Sequence, residues 1–150
     1  MKRRSRNLVL ATIAYRRAAE GSGGRALLAR KIARLRVEFW NFVCGSDIEP
    51  RARLAADLAL PHPNGVVMHE DAVVAEGCMI MQQVTLGQLA TPGAPQIGSG
   101  VYIGAGAKVL GAIRVGDGAR IGANAVVLAD VPAGATMVGI PARMVRRGAG

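Results

Sequence analysis

The feature that most constrains this chain is a run of six hexapeptides without gaps from Ile97 to Pro132: IGSGVY, IGAGAK, VLGAIR, VGDGAR, IGANAV and VLADVP. Ile or Val opens every unit, and a small or aliphatic residue follows four positions later. A period of six matches neither the 3.6-residue turn of an α-helix nor the two-residue alternation of a β-strand. Such a period is typical of stacked units that bury their faces against neighbouring units.

The six-residue rhythm starts before this run and is interrupted twice. A two-residue slip at Val66-Val67 resets the frame, and the stretch from Gly87 to Gln96 (GQLATPGAPQ) predicts an outward loop. Three hexapeptides make one triangular coil, so the array predicts four to five coils. Earlier units open at Ile48, Leu54, Leu60, Met68, Val74, Ile80 and Leu86, and Ala52, Leu58, Asn64, Ala72, Cys78 and Val84 are expected at the second inward position.

The N-terminal segment has a different character. Residues 8–18 and 26–43 are predicted helices, separated by the breaker Gly21-Ser22-Gly23-Gly24. Residues 1–40 hold eleven Lys or Arg against two Glu, whereas the remainder is balanced in charge. We therefore divide the chain into a basic α-helical segment (1–45), a β-helix domain (46–145) and a tail (146–150). An amphipathic stripe follows the second helix at Leu28, Ile32, Leu35, Phe39 and Phe42.

The composition indicates the cellular compartment in which the protein acts. Two cysteines do not suggest a disulfide scaffold, because Cys78 falls on an inward position. The apolar stretch LVLATIA is too short for an export signal and lacks a small-residue cleavage site. No run reaches the roughly 20 apolar residues of a membrane span. We expect a cytoplasmic protein without a bound metal.

The motifs resemble those of one known family. GSDIEPRARL, LPHPNGVVMHEDAVVAEGCMIMQQVTLG, IGAGAKVLGAIRVGDGARIGANAVVL and GIPARMV are similar to serine acetyltransferases, which are hexapeptide-repeat acyltransferases. The similarity covers about residues 45–145. It implies a mainly β fold, a left-handed parallel β-helix preceded by short helices. It also implies a homotrimer with acetyl-CoA in the groove between subunits.

The resemblance implies that His62 acts as general base and that Asp47 is its partner. A hydroxyl is a poor nucleophile at neutral pH, and a neutral imidazole that accepts its proton typically contributes about 10²–10⁴-fold. A carboxylate behind the ring fixes its tautomer and stabilises the imidazolium. Strict eighteen-residue stacking, in contrast, places Cys44 beneath His62, so the pairing with Asp47 follows from the resemblance and not from the period.

Further site residues are predicted along the coils. Gln82, Gln83 and His69 are candidates for binding the acceptor. Cys78 invites an acyl-cysteine mechanism, but its inward position favours core packing. Cationic groups in the last coils suit the phosphates of CoA, with Arg114 and Arg120 as further candidates. The candidates for binding the co-substrate are Gly87, Gly104, Ala105, Gly122, Ala123, Lys108 and Arg143.

Three departures from the family pattern leave the acceptor open. Pro61 stands where the family carries Asp, and Gly93-Ala94 aligns with an Arg-His pair that helps to hold the amino acid. The helical segment is short, which favours a plain trimer over a dimer of trimers. The C-terminal tail that docks onto the cysteine-forming enzyme is missing, so no cysteine-synthase complex is expected.

The sequence bears on three other functions. A sugar or polysaccharide O-acetyltransferase fits the missing serine-holding groups. A γ-type carbonic anhydrase needs three zinc-binding histidines, and the chain has only His62 and His69. The basic helices could contact an anionic membrane surface, whereas no recognition motif favours nucleic acid.

Overall fold

The computed structural model describes residues 3–146 and begins with two helices. Helix α1 spans Arg3–Glu20 and helix α2 spans Gly24–Cys44, so both predicted helices are present with wider bounds. Helix α2 is capped by Gly45, whose left-handed backbone (φ 63°) lets its N–H donate to the carbonyl of Phe42 at 3.2 Å and the N–H of Ser46 donate to the carbonyl of Asn41 at 3.0 Å. This is the usual role of glycine behind a helix, because it carries no Cβ to clash.

Short strands follow the helices. They are β1 (Asp47–Ile48), β2 (Arg53–Leu54), β3 (Val67–Met68), β4 (Val73–Val74), β5 (Met79–Ile80), β6 (Thr85–Gly87), β7 (Gln96–Ile97), β8 (Tyr102–Ile103), β9 (Lys108–Leu110), β10 (Arg114–Val115), β11 (Arg120–Ile121), β12 (Val126–Val127), β13 (Thr136–Val138) and β14 (Arg143–Arg146). Sheet 1 has the order β1-β3-β6-β9-β12, sheet 2 the order β10-β7-β4-β2, and sheet 3 the order β14-β13-β11-β8-β5. The strands pair in parallel, except that β14 runs antiparallel to β13. From β3 to β12 every third strand therefore stacks on the same face, and the chain winds through a parallel β-helix of about five coils.

The interior follows the hexapeptide pattern. The residue that opens each unit is inward and nearly inaccessible, from Ile48 in the first coil to Val127 near the end. The second inward position holds small residues such as Ala72 and Ala119, which leave room for the larger neighbours. The interior of the β-helix is thus one continuous apolar core, and the outward-facing residues of each strand are available for binding or catalysis.

The register shows where coils depart from eighteen residues. Val67 pairs with Thr85, and Gln96 with Arg114, eighteen residues apart. Asp47, however, pairs with Val67 and is offset by twenty, which confirms the predicted slip. Strands below and above the loop are offset by twenty-three, which confirms the loop. The last coil is shorter: strands β11 and β13 pair with an offset of sixteen, which the sequence analysis did not anticipate.

Two expectations for the first coil are wrong. Asn64 is exposed, and Val66 takes the inward position instead, because the slip lies before it. The expectation that eighteen-residue stacking places Cys44 beneath His62 is also wrong. The offset of twenty brings Gly45 against the next coil, where its carbonyl accepts a hydrogen bond from the N–H of Gly65 at 2.6 Å.

Both helices pack on the first coil, and helix α1 is more deeply buried than helix α2. Helix α1 contacts both α2 and β2, and Leu8, Val9 and Ala11 are fully buried. Helix α2 buries Ala33 and Val37 but leaves its predicted apolar stripe in solvent. Between residues 3 and 146, no helix is long and apolar enough to cross a membrane.

Candidate active site

Most of the predicted site residues lie together at one corner of the triangular β-helix. The turns from sheet 3 to sheet 1 stack on one another at residues 63–65, 81–83, 104–106 and 122–124, and we call them the corner column. The N–H of Gln83 donates to the carbonyl of Asn64 at 2.9 Å. The N–H of Gly106 donates to the carbonyl of Gln82 at 2.9 Å. These bonds make the column a continuous, backbone-lined edge.

His62 lies at the base of the corner column, outside the repeat. The N–H of Val66 bonds the carbonyl of Pro63 at 3.1 Å, just as Ala107 bonds Gly104 at 3.3 Å one turn into the regular coils. Pro63 therefore begins the ordinary three-residue turn, and Pro61 and His62 are the two extra residues. Because an inserted residue has no inward position to fill, the imidazole is exposed.

A cavity of about 210 Å³ opens beside His62. The first coil supplies His62, and the two helices supply Arg4, Ser5 and Cys44. Burial raises the pKa of the Cys44 thiol, and the nearby charge of Arg4 opposes that shift. The thiol is therefore mostly protonated at neutral pH and offers no reactive thiolate in this cavity.

Asp47 lies on the outer face of β1, in the same coil. Its N–H donates to the carbonyl of Val66 at 2.8 Å, directly after the turn that contains the insertion. Within residues 3–146, however, no hydrogen bond or ion pair joins the side chains of Asp47 and His62. The structure thus brings the two residues to the base of the corner column without bonding them.

Asn41 holds the strand that carries Asp47, and the sequence analysis missed it. Its amide nitrogen donates to the carbonyl of Ile48 at 2.9 Å. Its amide oxygen accepts from the N–H of Ile48 at 3.1 Å and from the hydroxyl of Ser46 at 3.0 Å. An amide on a largely apolar stretch of helix, four residues before the glycine that ends the helix, was the available signal.

Gln82 and Gln83 lie in the corner column one coil above His62. The side-chain oxygen of Gln82 is buried, and none of the described residues donates to it. Gln83 has a left-handed backbone (φ 59°), which costs roughly 1–2 kcal/mol for a residue with a Cβ. Its side chain lies over Gly65, where a Cβ would be 3.0 Å from Cγ of Gln83. The left-handed backbone is shared by the third residue of the other turns in the corner column, Gly65, Gly106 and Asn124, so the unsatisfied acceptor of Gln82 is the feature that marks this turn as a candidate binding site.

The predicted co-substrate residues form the upper corner column. A Cβ on Gly104 would lie 2.7 Å from the nitrogen of Ala123, and one on Gly122 would lie 2.8 Å from Val138. Both glycines are therefore required by the stacking of coils. Ala105 and Ala123 add only methyl groups to the surface. Gly87 does not belong to the corner column, since it ends β6 at the far edge of sheet 1.

The predicted cations are spread over several faces. Lys108 follows the corner column in sheet 1, and its Nζ donates to the carbonyl of Gln83 at 2.6 Å. Arg143 lies in β14, next to Ala142, whose N–H caps the corner column through the carbonyl of Val126 at 2.8 Å. Arg114 and Arg120 lie in sheets 2 and 3, where Arg120 stacks 5.0 Å above the ring of Tyr102.

The loop at residues 88–95 lies at the other edge of sheet 1. The backbone of Gly93 is left-handed (φ 116°), and a Cβ there would approach Cβ of Ala112 to 2.6 Å. Ala94 is buried. Neither position can carry a long side chain in this conformation. His69 follows β3 one coil below the loop, and its Nδ1 accepts from the N–H of Asp71 at 3.2 Å, so it lies away from His62.

Cys78 is not suited to covalent catalysis. It is 1% exposed, and its thiol donates to the carbonyl of Gly98 at 3.0 Å. Burial raises the pKa of this thiol, which removes the reactive thiolate. The structure agrees with the core-packing interpretation. Across the described part of the chain, no three His, Cys, Asp or Glu side chains are grouped to hold a metal ion.

A parallel β-helix of hexapeptides with an exposed histidine at one corner defines a class of transferases. The family model for bacterial transferase hexapeptides (six repeats) matches residues 94–129. The serine acetyltransferase of Synechococcus elongatus is 44% identical over 119 residues, which are 77% of this chain and 49% of that protein. The chain is a serine acetyltransferase-like member of the hexapeptide-repeat acyltransferase family.

Solved structures extend the similarity to the helices. Soybean serine acetyltransferase complexed with serine has a TM-score of 0.79 at 37% identity, covering 95% of this chain and 56% of that one. The Brucella abortus serine acetyltransferase in complex with coenzyme A has a TM-score of 0.80 at 34% identity, covering 97% and 55%. These matches confirm the predicted left-handed β-helix. The chain spans about half the length of these relatives.

Proposed function

We propose that this protein is an acetyl-CoA-dependent O-acetyltransferase that acetylates the hydroxyl group of serine. The observation that carries the proposal is the insertion of Pro61 and His62 at the base of the corner column. The insertion puts an exposed imidazole beside a cavity, directly below a small-residue edge on which an extended acyl carrier can lie. The serine acetyltransferases with bound serine and bound coenzyme A support both substrates.

His62 is the general base. Its neutral imidazole accepts the proton of the acceptor hydroxyl while the oxygen attacks the thioester carbonyl. The C–S bond then breaks, and the imidazolium returns the proton to the departing sulfur. A protonated imidazole cannot accept a proton, so acidification slows the reaction.

Asp47 orients the base. A carboxylate that reaches Nδ1 of His62 would hold the tautomer in which Nε2 is free to accept the proton. Asp47 and His62 are not bonded in the free protein, and catalytic hydrogen bonds often tighten only when substrate is bound. Asn41 contributes by fixing the backbone of Ile48, directly after Asp47, and by accepting a hydrogen bond from the hydroxyl of Ser46, directly before it.

The corner column holds the co-substrate. Four coil steps of about 4.8 Å separate the turn at Asn64 from the cap at Ala142, which gives an edge of roughly 19 Å. Ala105 and Ala123 let an extended chain lie close to the backbone. Gln82 offers a buried acceptor that an amide N–H can satisfy. Arg143 supplies positive charge for phosphate oxygens near the upper end, and Lys108 supplies it lower down, beside Gln83.

The acceptor site differs from the family pattern at the loop. Gly93 and Ala94 cannot contribute a charged side chain there, and His69 lies away from His62, so Gln83 is the remaining predicted candidate for holding serine. We expect serine to bind weakly and to saturate only at high concentration. The relatives found are serine acetyltransferases and do not favour a sugar acceptor, although a sugar belongs in the test.

The assembly and the setting are also part of the proposal. A homotrimer would place the outer face of sheet 1, with Asp47 and Lys108, against a neighbouring subunit and close the groove. The protein acts in the cytoplasm, where acetyl-CoA is available, and its direct transfer mechanism uses no metal.

The experiment is CoA-thiol release from acetyl-CoA with serine, homoserine and a panel of sugars. Serine should turn over, and His62→Ala should lower kcat by about 10²–10⁴-fold. His69→Ala is the matched control and should change kcat little, because His69 lies at the opposite edge of sheet 1. Turnover of a sugar with inert serine would replace the acceptor, and full activity of His62→Ala would remove the mechanism.

A further inference from the structure

The cavity beside His62 receives one permanently charged side chain, and that side chain comes from helix α1. Arg4 lines the cavity together with the imidazole of His62. The other described residues that line it are neither acidic nor basic, namely Ser5, Val43, Cys44, Pro63 and Asn64. A guanidinium stays protonated at every physiological pH, so the cavity is permanently cationic. It therefore favours an occupant that carries negative charge.

Arg4 has no anionic partner in the described part of the chain. Between residues 3 and 146, no ion pair or hydrogen bond joins its guanidinium to another residue. The first turn of α1 also contains no acidic residue that could reach it. Arg34 and Arg51, in contrast, are each paired with a glutamate. The guanidinium of Arg4 is thus available to a ligand.

The position of Arg4 differs from that of its neighbours on the helix. Arg3 and Arg6 are also exposed, but neither lines the cavity. Ser5 is completely buried, so the turn that carries Arg4 is packed against the protein. Burial raises the pKa of the Cys44 thiol, and the charge of Arg4 opposes that shift. Because Cys44 lines the same cavity, the charge of Arg4 acts on its interior.

We propose that Arg4 binds the carboxylate of the acceptor in this cavity while His62 accepts the proton of the acceptor hydroxyl. The inference rests on the proposed function and adds to it a residue that determines which acceptor is used. A guanidinium donates two parallel hydrogen bonds to the two oxygens of a carboxylate, which fixes the orientation of the molecule it holds. Arg4 is therefore a specificity-determining residue, and His62 remains the base.

The size of the cavity agrees with a small acceptor. Its volume of about 210 Å³ is below the roughly 300–1,000 Å³ of sites for drug-sized ligands. Serine has few atoms, and only its Cα and Cβ separate the carboxylate from the hydroxyl oxygen. The loop at residues 88–95 cannot supply a cation from Gly93 or Ala94, so helix α1 supplies it instead.

The first experiment compares serine with serinamide as acceptors for the full-length protein. Serinamide keeps the hydroxyl in the same position but has a neutral amide in place of the carboxylate. Arg4→Gln should lower kcat/KM for serine by at least about tenfold, because it removes hydrogen bonds from a charged group to the carboxylate. The same variant should leave kcat/KM for serinamide and the KM for acetyl-CoA unchanged.

Arg6→Gln is the matched control, since it removes the same charge from an exposed position of the same helix that does not line the cavity. It should keep the wild-type preference for serine over serinamide. An unchanged preference in Arg4→Gln, or an equal loss in Arg6→Gln, would overturn the inference. A raised KM for acetyl-CoA with an unchanged preference would assign Arg4 to a phosphate of the co-substrate and also overturn it.

A sugar that carries a carboxylate separates the contact from the identity of the acceptor. Glucuronate and glucose repeat the comparison, because they differ in one carboxylate. If serine is inert and glucuronate is acetylated in preference to glucose only when Arg4 is present, serine is the wrong acceptor and the carboxylate contact is retained. Equal transfer to glucuronate and glucose by wild type and Arg4→Gln would overturn the contact.

Saturation-transfer NMR measures the contact without acetyl transfer. Serine is added in the presence of CoA, which has no acetyl group to donate. The serine signal should be clearly weaker with Arg4→Gln than with wild type or Arg6→Gln, at equal thermal unfolding midpoints. Equal signals from the three proteins would overturn the inference even if His62→Ala abolishes acetyl transfer as expected. The inference and the proposed function can therefore fail separately.

Discussion

The coils between Gln96 and Val127 differ in one respect from the coil that begins at Asp47. The former repeat every eighteen residues, and each of their turns is filled by small residues that the next coil requires. The latter is two residues longer, and the extra residues are Pro61 and His62. The regular coils all have the same structural role, whereas the coil that begins at Asp47 carries a side chain, His62, that does not pack in the core.

This difference separates the residues that stabilise the fold from the residues that carry out catalysis. A residue of a regular coil is held by the coils below and above it, so changing it should affect stability first. A residue of the insertion makes few such contacts, so changing it should affect catalysis first.

The largest loss of stability is expected in the regular coils. Gly104→Ala places a Cβ 2.7 Å from the nitrogen of Ala123, and the backbone must move to make room. We expect the free energy of unfolding to fall by about 3 kcal/mol, measured by urea denaturation. Gly118→Asn is the control, because nothing lies within 4 Å of a Cβ there and Asn124 adopts the same left-handed backbone. Equal losses in both variants would show that coil contact is not what constrains Gly104.

A smaller loss of stability, combined with a loss of activity, is expected at Asn41. Asn41→Ala removes three hydrogen bonds to Ser46 and Ile48, for a loss of about 2 kcal/mol. The rate of acetyl transfer should fall as well, because Asp47 lies between those two residues. Glu70→Gln, which breaks only an exposed ion pair with Arg51, should cost less than about 1 kcal/mol and leave the rate unchanged. A destabilised Asn41→Ala enzyme with the wild-type rate at low temperature would argue against the role of Asn41 in positioning Asp47.

The period predicted the core well because inward residues repeat their surroundings. From Ile48 to Val127 the opening residues are buried as expected, and the slip and the loop lie where the rhythm breaks. It failed at Asn64, since a period gives the length of an interruption but not which side of a turn holds the extra residues. Asn41 was missed because it lies in helix α2, outside the hexapeptide repeat. Relations between outward side chains depend on the register of the coils, and the period does not contain it.

The helical segment shows a second limit of the sequence. The predicted stripe on α2 was correct as a pattern, but a pattern does not say whether the apolar face meets the same chain or another one. Only the burial of Ala33 and Val37 on the opposite face shows that the chain's own core is already satisfied there. The structure was therefore needed to show that the apolar stripe of helix α2 does not pack against its own chain.

The most direct test of the account is the rate of acetyl transfer by a variant from which Pro61 and His62 are deleted. The deletion restores an eighteen-residue first coil, so the thermal unfolding midpoint should be no lower than that of the wild type. We expect this folded variant to release no CoA thiol above the His62→Ala background. Acetyl transfer at the wild-type rate by the folded deletion variant would contradict the claim that the inserted residues, and not the coils, carry the chemistry.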